Sequence, residues 1–184
     1  MDTDFNKAFV FTIGVEGVIS NNPDDTGGFT IYGISSKWFP DVVKKIKEML
    51  DMNQNGSAVQ IAKGFYNDNF WQKYSCMLLP CPVNVFYFDS IINEGDEAAL
   101  SHLQKAVHWY LDSPSLNIDV NTVQSIATFL KDKPIEPYVL MACTARTDHY
   151  LDLVNIYPND LEFYHGWNNR VRRFRKTFMT SVYQ

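Results

Sequence analysis

Cysteine is scarce in this chain, basic residues are outnumbered, and no hydrophobic stretch approaches the length of a membrane span. Only Cys76, Cys81 and Cys143 occur in 184 residues. An odd count leaves one thiol free in any monomer, which excludes a disulfide-stapled secreted scaffold and points to a reducing compartment. Cys76 and Cys81 are close enough in sequence to bridge under oxidation. The longest apolar run, Met77 to Val83, contains two prolines and falls far short of the ~20 residues of a transmembrane helix. The opening Met1-Asp2-Thr3-Asp4-Phe5 has no basic residue, so the secretory signal pattern is absent and synthesis in the cytosol is expected. No H-E-x-x-H, phosphate-binding loop, dinucleotide fingerprint or nucleophile elbow occurs. His102 and His108, six residues apart, do not share a helical face that could hold a metal. No cofactor is expected.

What is present is ordinary globular composition, 46% apolar and 20% charged, which excludes disorder and coiled coil. The length suits one domain or one domain with a small appended piece. Helical spacing dominates. The pattern predicts helices over residues 4–17, 41–51, 57–71, 83–92, 96–111, 119–131, 135–156 and 160–179, with Ser57 as an N-cap and Pro80 and Pro82 as breakers. The net charge of −5 is uneven: residues 163–184 carry +5 and no acid, and the rest carries −10. The acidic bulk disfavours nucleic acid as a partner. The basic end can contact an anionic polymer, a membrane surface or the chain's own acidic body. It can equally be a solvated helix end with its cations at the negative pole.

One stretch departs from helical spacing. Residues 18–34 set turn formers between two short β-branched or aromatic runs, predicting a small hairpin or ordered loop. The fold class expected is therefore all-α with a small N-terminal β lobe. Glu16 falls on the apolar stripe of the first predicted helix. Burial there, and the helix C-terminus, both favour the protonated acid, and a protonated glutamic acid can donate to a leaving group. The plainer reading is a partly exposed glutamate beside a glycine cap. Asp24 and Asp25 follow eight and nine residues later, and Thr30 five after Asp25. Two carboxyls across a groove are what glycosidic hydrolysis needs, although aspartate before glycine is also ordinary turn chemistry.

The segment from Glu16-Gly17-Val18-Ile19 through Asp25-Thr26-Gly27-Gly28-Phe29-Thr30 to Gly33-Ile34 resembles the E-G-G-Y and D-x-G-G-x-T-x-x-G-I signature of glycoside hydrolase family 108. This family comprises phage-type endolysin muramidases and proteins labelled secretion activators. Further along, Asn69-Phe70-Trp71, Phe88-Asp89-Ser90-Ile91-Ile92-Asn93-Glu94-Gly95, Leu103-Gln104-Lys105-Ala106, Arg146 to Tyr150 and Gly166-Trp167-Asn168-Asn169-Arg170-Val171 are similar to its later motifs, in order. The resemblance implies a lysozyme-like helical fold, with a catalytic region over 1–112 and a C-terminal helical region over 113–184. It implies Glu16 as catalytic acid, Asp25 and Thr30 as its partners, and the peptidoglycan glycan strand as substrate. With no signal pattern and an odd thiol count, action at the wall is expected to need a holin or an export machinery for delivery. Tyr32, Trp71, Asn93 and Gln104 are candidate sugar contacts, by stacking or by hydrogen bonding. Val18 and Ile19 stand where the family has Gly-Tyr, and Asn117 to Thr122 lack its D-G-x-x-G-x-x-T core.

Overall fold

The computed structural model describes residues 2–14, 19–20, 29–111 and 121–179. The chain divides into two compact units, Met1–Lys73 and Tyr74–Gln184.

In the first unit, α1 (Thr3–Thr12) starts where the Asp2 side chain accepts from the Asp4 N–H at 3.1 Å, occupying one of the donors a helix start leaves open. Phe5, Ala8 and Phe9 recur at helical spacing and are buried. Three two-residue strands follow, β1 (Ile19–Ser20), β2 (Thr30–Ile31) and β3 (Ile34–Ser35), antiparallel in that order. Ile31 pairs with Ile34 across a two-residue turn in which Tyr32 and Gly33 both have positive φ, 51° and 75°. Positive φ at both central residues matches the twist of a tight hairpin. α2 (Pro40–Asp51) begins on Pro40, a residue suited to a first turn, and buries Val43 and Ile46. α3 (Asn55–Tyr66) buries Ala58, Ala62 and Tyr66, and a π-helical turn continues through Gln72. The core of the unit is aromatic: Trp71 meets Phe5 edge-on at 5.6 Å, and Tyr66 meets Phe9 at 5.8 Å.

The second unit is wholly helical among its described residues. It contains α4 (Val83–Glu94), α5 (Asp96–Leu111), α6 (Val123–Leu130), α7 (Ile135–Ile156) and α8 (Leu161–Phe178). Every residue of α4 from Val83 to Ile91 is buried, the polar Asn84, Asp89 and Ser90 included, so the helix runs through the interior of the unit. α8 packs on it through Phe174 and Phe86, 5.4 Å apart. The Tyr138 hydroxyl of α7 donates to the Leu103 carbonyl of α5 at 3.0 Å. α6 begins with a reciprocal cap between Thr122 and Ser125.

These elements correct several expectations. α1 stops at Thr12, with Ile13 and Gly14 closing the last turn onto the Phe9 and Val10 carbonyls, so it is shorter than 4–17. Ser57 is not a cap. The Gln54 carbonyl already accepts the Ala58 N–H at 3.1 Å, because the chain reverses at Asn53 with φ 57° and enters the helix two residues earlier. The compact units part at Lys73 and Tyr74, and α4 and α5 are bonded to α7 and α8.

Candidate active site

The catalytic candidates Glu16, Asp25 and Thr30 belong to the first unit, and the candidate sugar contacts Asn93 and Gln104 to the second. Gly14 closes α1 with its N–H on the Val10 carbonyl at 3.1 Å, and a Cβ there would lie only 2.7 Å from that oxygen. Glycine is thus required two residues before Glu16. Glu16 and Asp25 lie outside the described residues. Thr30 is described: it is half-buried on β2, paired opposite Ser20 on one side and Ser35 on the other. The register therefore brings positions 20 and 30 together, and Asp25 belongs to the stretch between them.

Behind Thr30 the hairpin turn is anchored to α3. The Tyr66 hydroxyl donates to the Tyr32 carbonyl at 3.0 Å, next to Gly33. Tyr32 is half-buried, and burial raises its phenol above the ordinary value. Trp71 is fully buried against Phe5. Its ring serves the core and is no platform for a sugar, because an aromatic this large, set on the inner side of the π-helical turn, fills the interior instead.

The second unit contains a feature that periodicity did not disclose. Asp89, fully buried on α4, binds two guanidiniums: Arg146 Nη1 at 2.7 Å, and Arg170 through Nε at 3.0 Å and Nη2 at 2.9 Å. Burial pushes the Asp89 carboxyl upward. The two cations outweigh it and hold the group below its ordinary range. Arg146 Nε also donates to the Tyr150 hydroxyl at 2.7 Å and contacts Glu94 Oε1, while Glu94 Oε2 meets His102 Nε2 at 2.8 Å. The cluster thus joins α4, α5, α7 and α8 through charge.

A cavity of about 350 Å³ opens on this cluster, lined by Asn93, Glu94, His149, Tyr150, Trp167 and Arg170 among others. Trp167 stacks on Tyr150 with centroids 5.1 Å apart, and Phe163 continues the stack at 6.1 Å. Burial, then the neighbouring His102, lowers the His149 pKa and favours its neutral form. The lining presents an aromatic wall, a carboxylate, an amide and a guanidinium, a set that can hold a polyhydroxylated ligand. Asn93 is exposed, and its Nδ2 donates to the Asp89 carbonyl at 2.6 Å. Gln104 is half-buried on α5 and is not among these lining residues. Of the four candidate sugar contacts, only Asn93 reaches the cavity. Glu94, His149 and Arg170 were not foreseen as lining residues. Their signal was the separate motifs ending at Gly95, Tyr150 and Val171, which the fold brings together.

Residues 9–95 match the family model described as Glycosyl hydrolase 108. The matched stretch is 87 of the 184 residues, just under half of the chain. It spans Glu16, Asp25 and Thr30, and it ends at the glycine between α4 and α5. The structure of Brucella abortus SagA is similar in fold, with a TM-score of 0.64 and 24% identity over 94% of this chain and 92% of that one. The lysozyme-like helical fold expected from the resemblance therefore holds. No curated protein matches the chain.

Proposed function

We propose that the chain is a peptidoglycan hydrolase that cleaves the β-1,4 bond between N-acetylmuramic acid and N-acetylglucosamine. The observation that carries this reading is the glycosyl hydrolase 108 match, which covers Glu16, Asp25 and Thr30 in one segment. Glu16 protonates the leaving oxygen. Asp25, helped by Thr30, orients or activates a water on the opposite face of the sugar, and the configuration inverts. Within the second unit, the cavity lined by Asn93 and Trp167 can take a pyranose ring and its hydrogen-bonding groups. The protein is made in the cytosol and reaches the wall through a holin or an export machinery. Turbidity clearing of purified cell walls tests the reading. Wild type clears the suspension, whereas Glu16→Gln and Asp25→Asn do not, at unchanged melting temperature. Equal clearing by Glu16→Gln refutes the assignment.

A second reading has its own motive in Val18 and Ile19, which replace the Gly-Tyr of the signature. A β-branched residue disfavours the positive φ open to glycine, which suits a glycan-binding or secretion-regulating module that has lost turnover. Wild type that sediments with sacculi yet releases no muropeptide would establish it. A lytic transglycosylase, which can work with one glutamate, would leave anhydromuramyl ends instead.

A further inference from the structure

A second cavity of the Tyr74–Gln184 unit, of about 410 Å³, runs between α7 and α8 and is lined by Thr147, Tyr164, Asn168, Asn169, Arg172 and Arg175 among others. It differs in character from the one over Glu94. His165, Asn168, Asn169, Arg172, Arg175 and Lys176 recur at three- and four-residue steps, so they form one stripe along α8. The stripe runs about 16 Å at 1.5 Å per residue. No carboxylate within salt-bridge distance faces Arg172, Arg175 or Lys176 among the described residues. Arg170, on another side of the same helix, is taken up by Asp89. Arg175 Nε is buried and has no hydrogen-bond acceptor. Of the basic end, Arg170 is thus spent on the acidic body, whereas among the described residues Arg172, Arg175 and Lys176 are not.

We propose that this cleft binds a linear phosphodiester polymer, specifically a polyol phosphate of the kind carried by cell walls. Paired guanidiniums match the tetrahedral anion with forked, charge-assisted hydrogen bonds. Asn168, Asn169 and Thr147 add neutral donors beside them, where a polyol hydroxyl or ester oxygen would lie. A basic and amide stripe about 16 Å long on α8 is long enough to meet a chain carrying several phosphates. A flat lipid surface would call for apolar anchors along the stripe, and between His165 and Lys176 this stripe has none. A nucleic acid would call for a row of stacking platforms, and among the described residues the cleft offers the adjacent Tyr164 and His165 alone. The −10 carried by residues 1–162 repels a polyanion from the rest of the chain. The choice of polyol over other phosphate carriers rests on the wall-directed function proposed above. Binding itself does not require glycan cleavage, so the two fail separately.

The test is fluorescence anisotropy of a labelled oligo(glycerol phosphate) with the full chain. The expected result is saturable binding at about 50 mM salt that weakens as salt rises, with a log–log slope of roughly −2 for three neutralised phosphates. Arg172→Gln with Arg175→Gln weakens binding by at least about tenfold, while Lys44→Gln with Lys45→Gln, on α2, leaves it unchanged. No binding by wild type, or equal loss in both pairs, overturns the proposal. Single-stranded DNA of equal charge binding as tightly overturns it in favour of nucleic acid. Capture by phosphatidylglycerol vesicles without oligomer binding overturns it in favour of a membrane. If the double variant does not fold, side-chain amide NMR signals of wild type decide. Oligomer must shift Asn168 and Asn169, and shifts confined elsewhere overturn the assignment.

Discussion

Asp89→Asn removes one charge from the centre of the helical unit and leaves two guanidiniums facing a neutral amide. In wild type the Asp89 carboxylate is fully buried, with Arg146 Nη1 at 2.7 Å and Arg170 Nη2 at 2.9 Å. Breaking a buried pair from one side costs about 3–5 kcal/mol, because the partner charge stays desolvated. For a chain of this size about 2–4 °C of melting temperature accompanies each kcal/mol, so a drop of roughly 6–20 °C is expected at neutral pH. Acid provides the check on cause. The folded Asp89 pKa lies below its ordinary 3.8, so its stabilisation is complete above that value. It is lost as pH falls through the lowered folded pKa. The gap between wild type and Asp89→Asn should therefore narrow on acidification below pH 3.8. Differential scanning calorimetry at neutral and acid pH reads both effects. Asp51→Asn, which breaks the exposed Lys47–Asp51 pair on α2, should cost less than about 1 kcal/mol. A neutral-pH change in Asp89→Asn as small as that would refute the reasoning.

Two further perturbations follow from the same contacts. Tyr66→Phe deletes the hydroxyl that donates to the Tyr32 carbonyl. Chemical denaturation should register a loss of about 1 kcal/mol, and hydrogen exchange should show faster opening in residues 30–35; unchanged exchange there would contradict the anchoring role. Cys143 is buried with its pKa pushed up to about 12, burial outweighing the Arg146 and Arg175 cations. In the native protein at neutral pH, iodoacetamide should modify half-buried Cys81 well before Cys143, as read by peptide mass spectrometry. Early labelling of Cys143 would overturn that order.

Helical spacing was enough to place most of the fold. The 96–111 and 135–156 stretches are helices with those bounds, because breakers flank them: Gly95 and Pro114 for the first, Pro134 and Pro158 for the second. The start of α3 was misjudged because Ser57 has the right chemistry for a cap, whereas the left-handed turn at Asn53 depends on where α2 ends. The tight turn at Tyr32 and Gly33 was likewise hidden inside a longer loop-like stretch. Ion pairing was least legible. Asp89, Arg146 and Arg170 stand on three helices, separated by 57 and 81 residues from the aspartate, and no local pattern states which distant charges will meet. The motifs pointed to those residues without disclosing that they converge. Trp71 shows the opposite failure: an aromatic in a motif suggested a ligand contact, and the packing of the first unit claimed it for the core.

The decisive observation is the chemistry of the released ends. Purified sacculi digested with wild-type protein and analysed by mass spectrometry should yield muropeptides ending in reducing N-acetylmuramic acid. Glu16→Gln, folded and equally stable, should yield none. Fragments ending in N-acetylglucosamine or an anhydro sugar, or identical release by Glu16→Gln, would contradict the muramidase assignment.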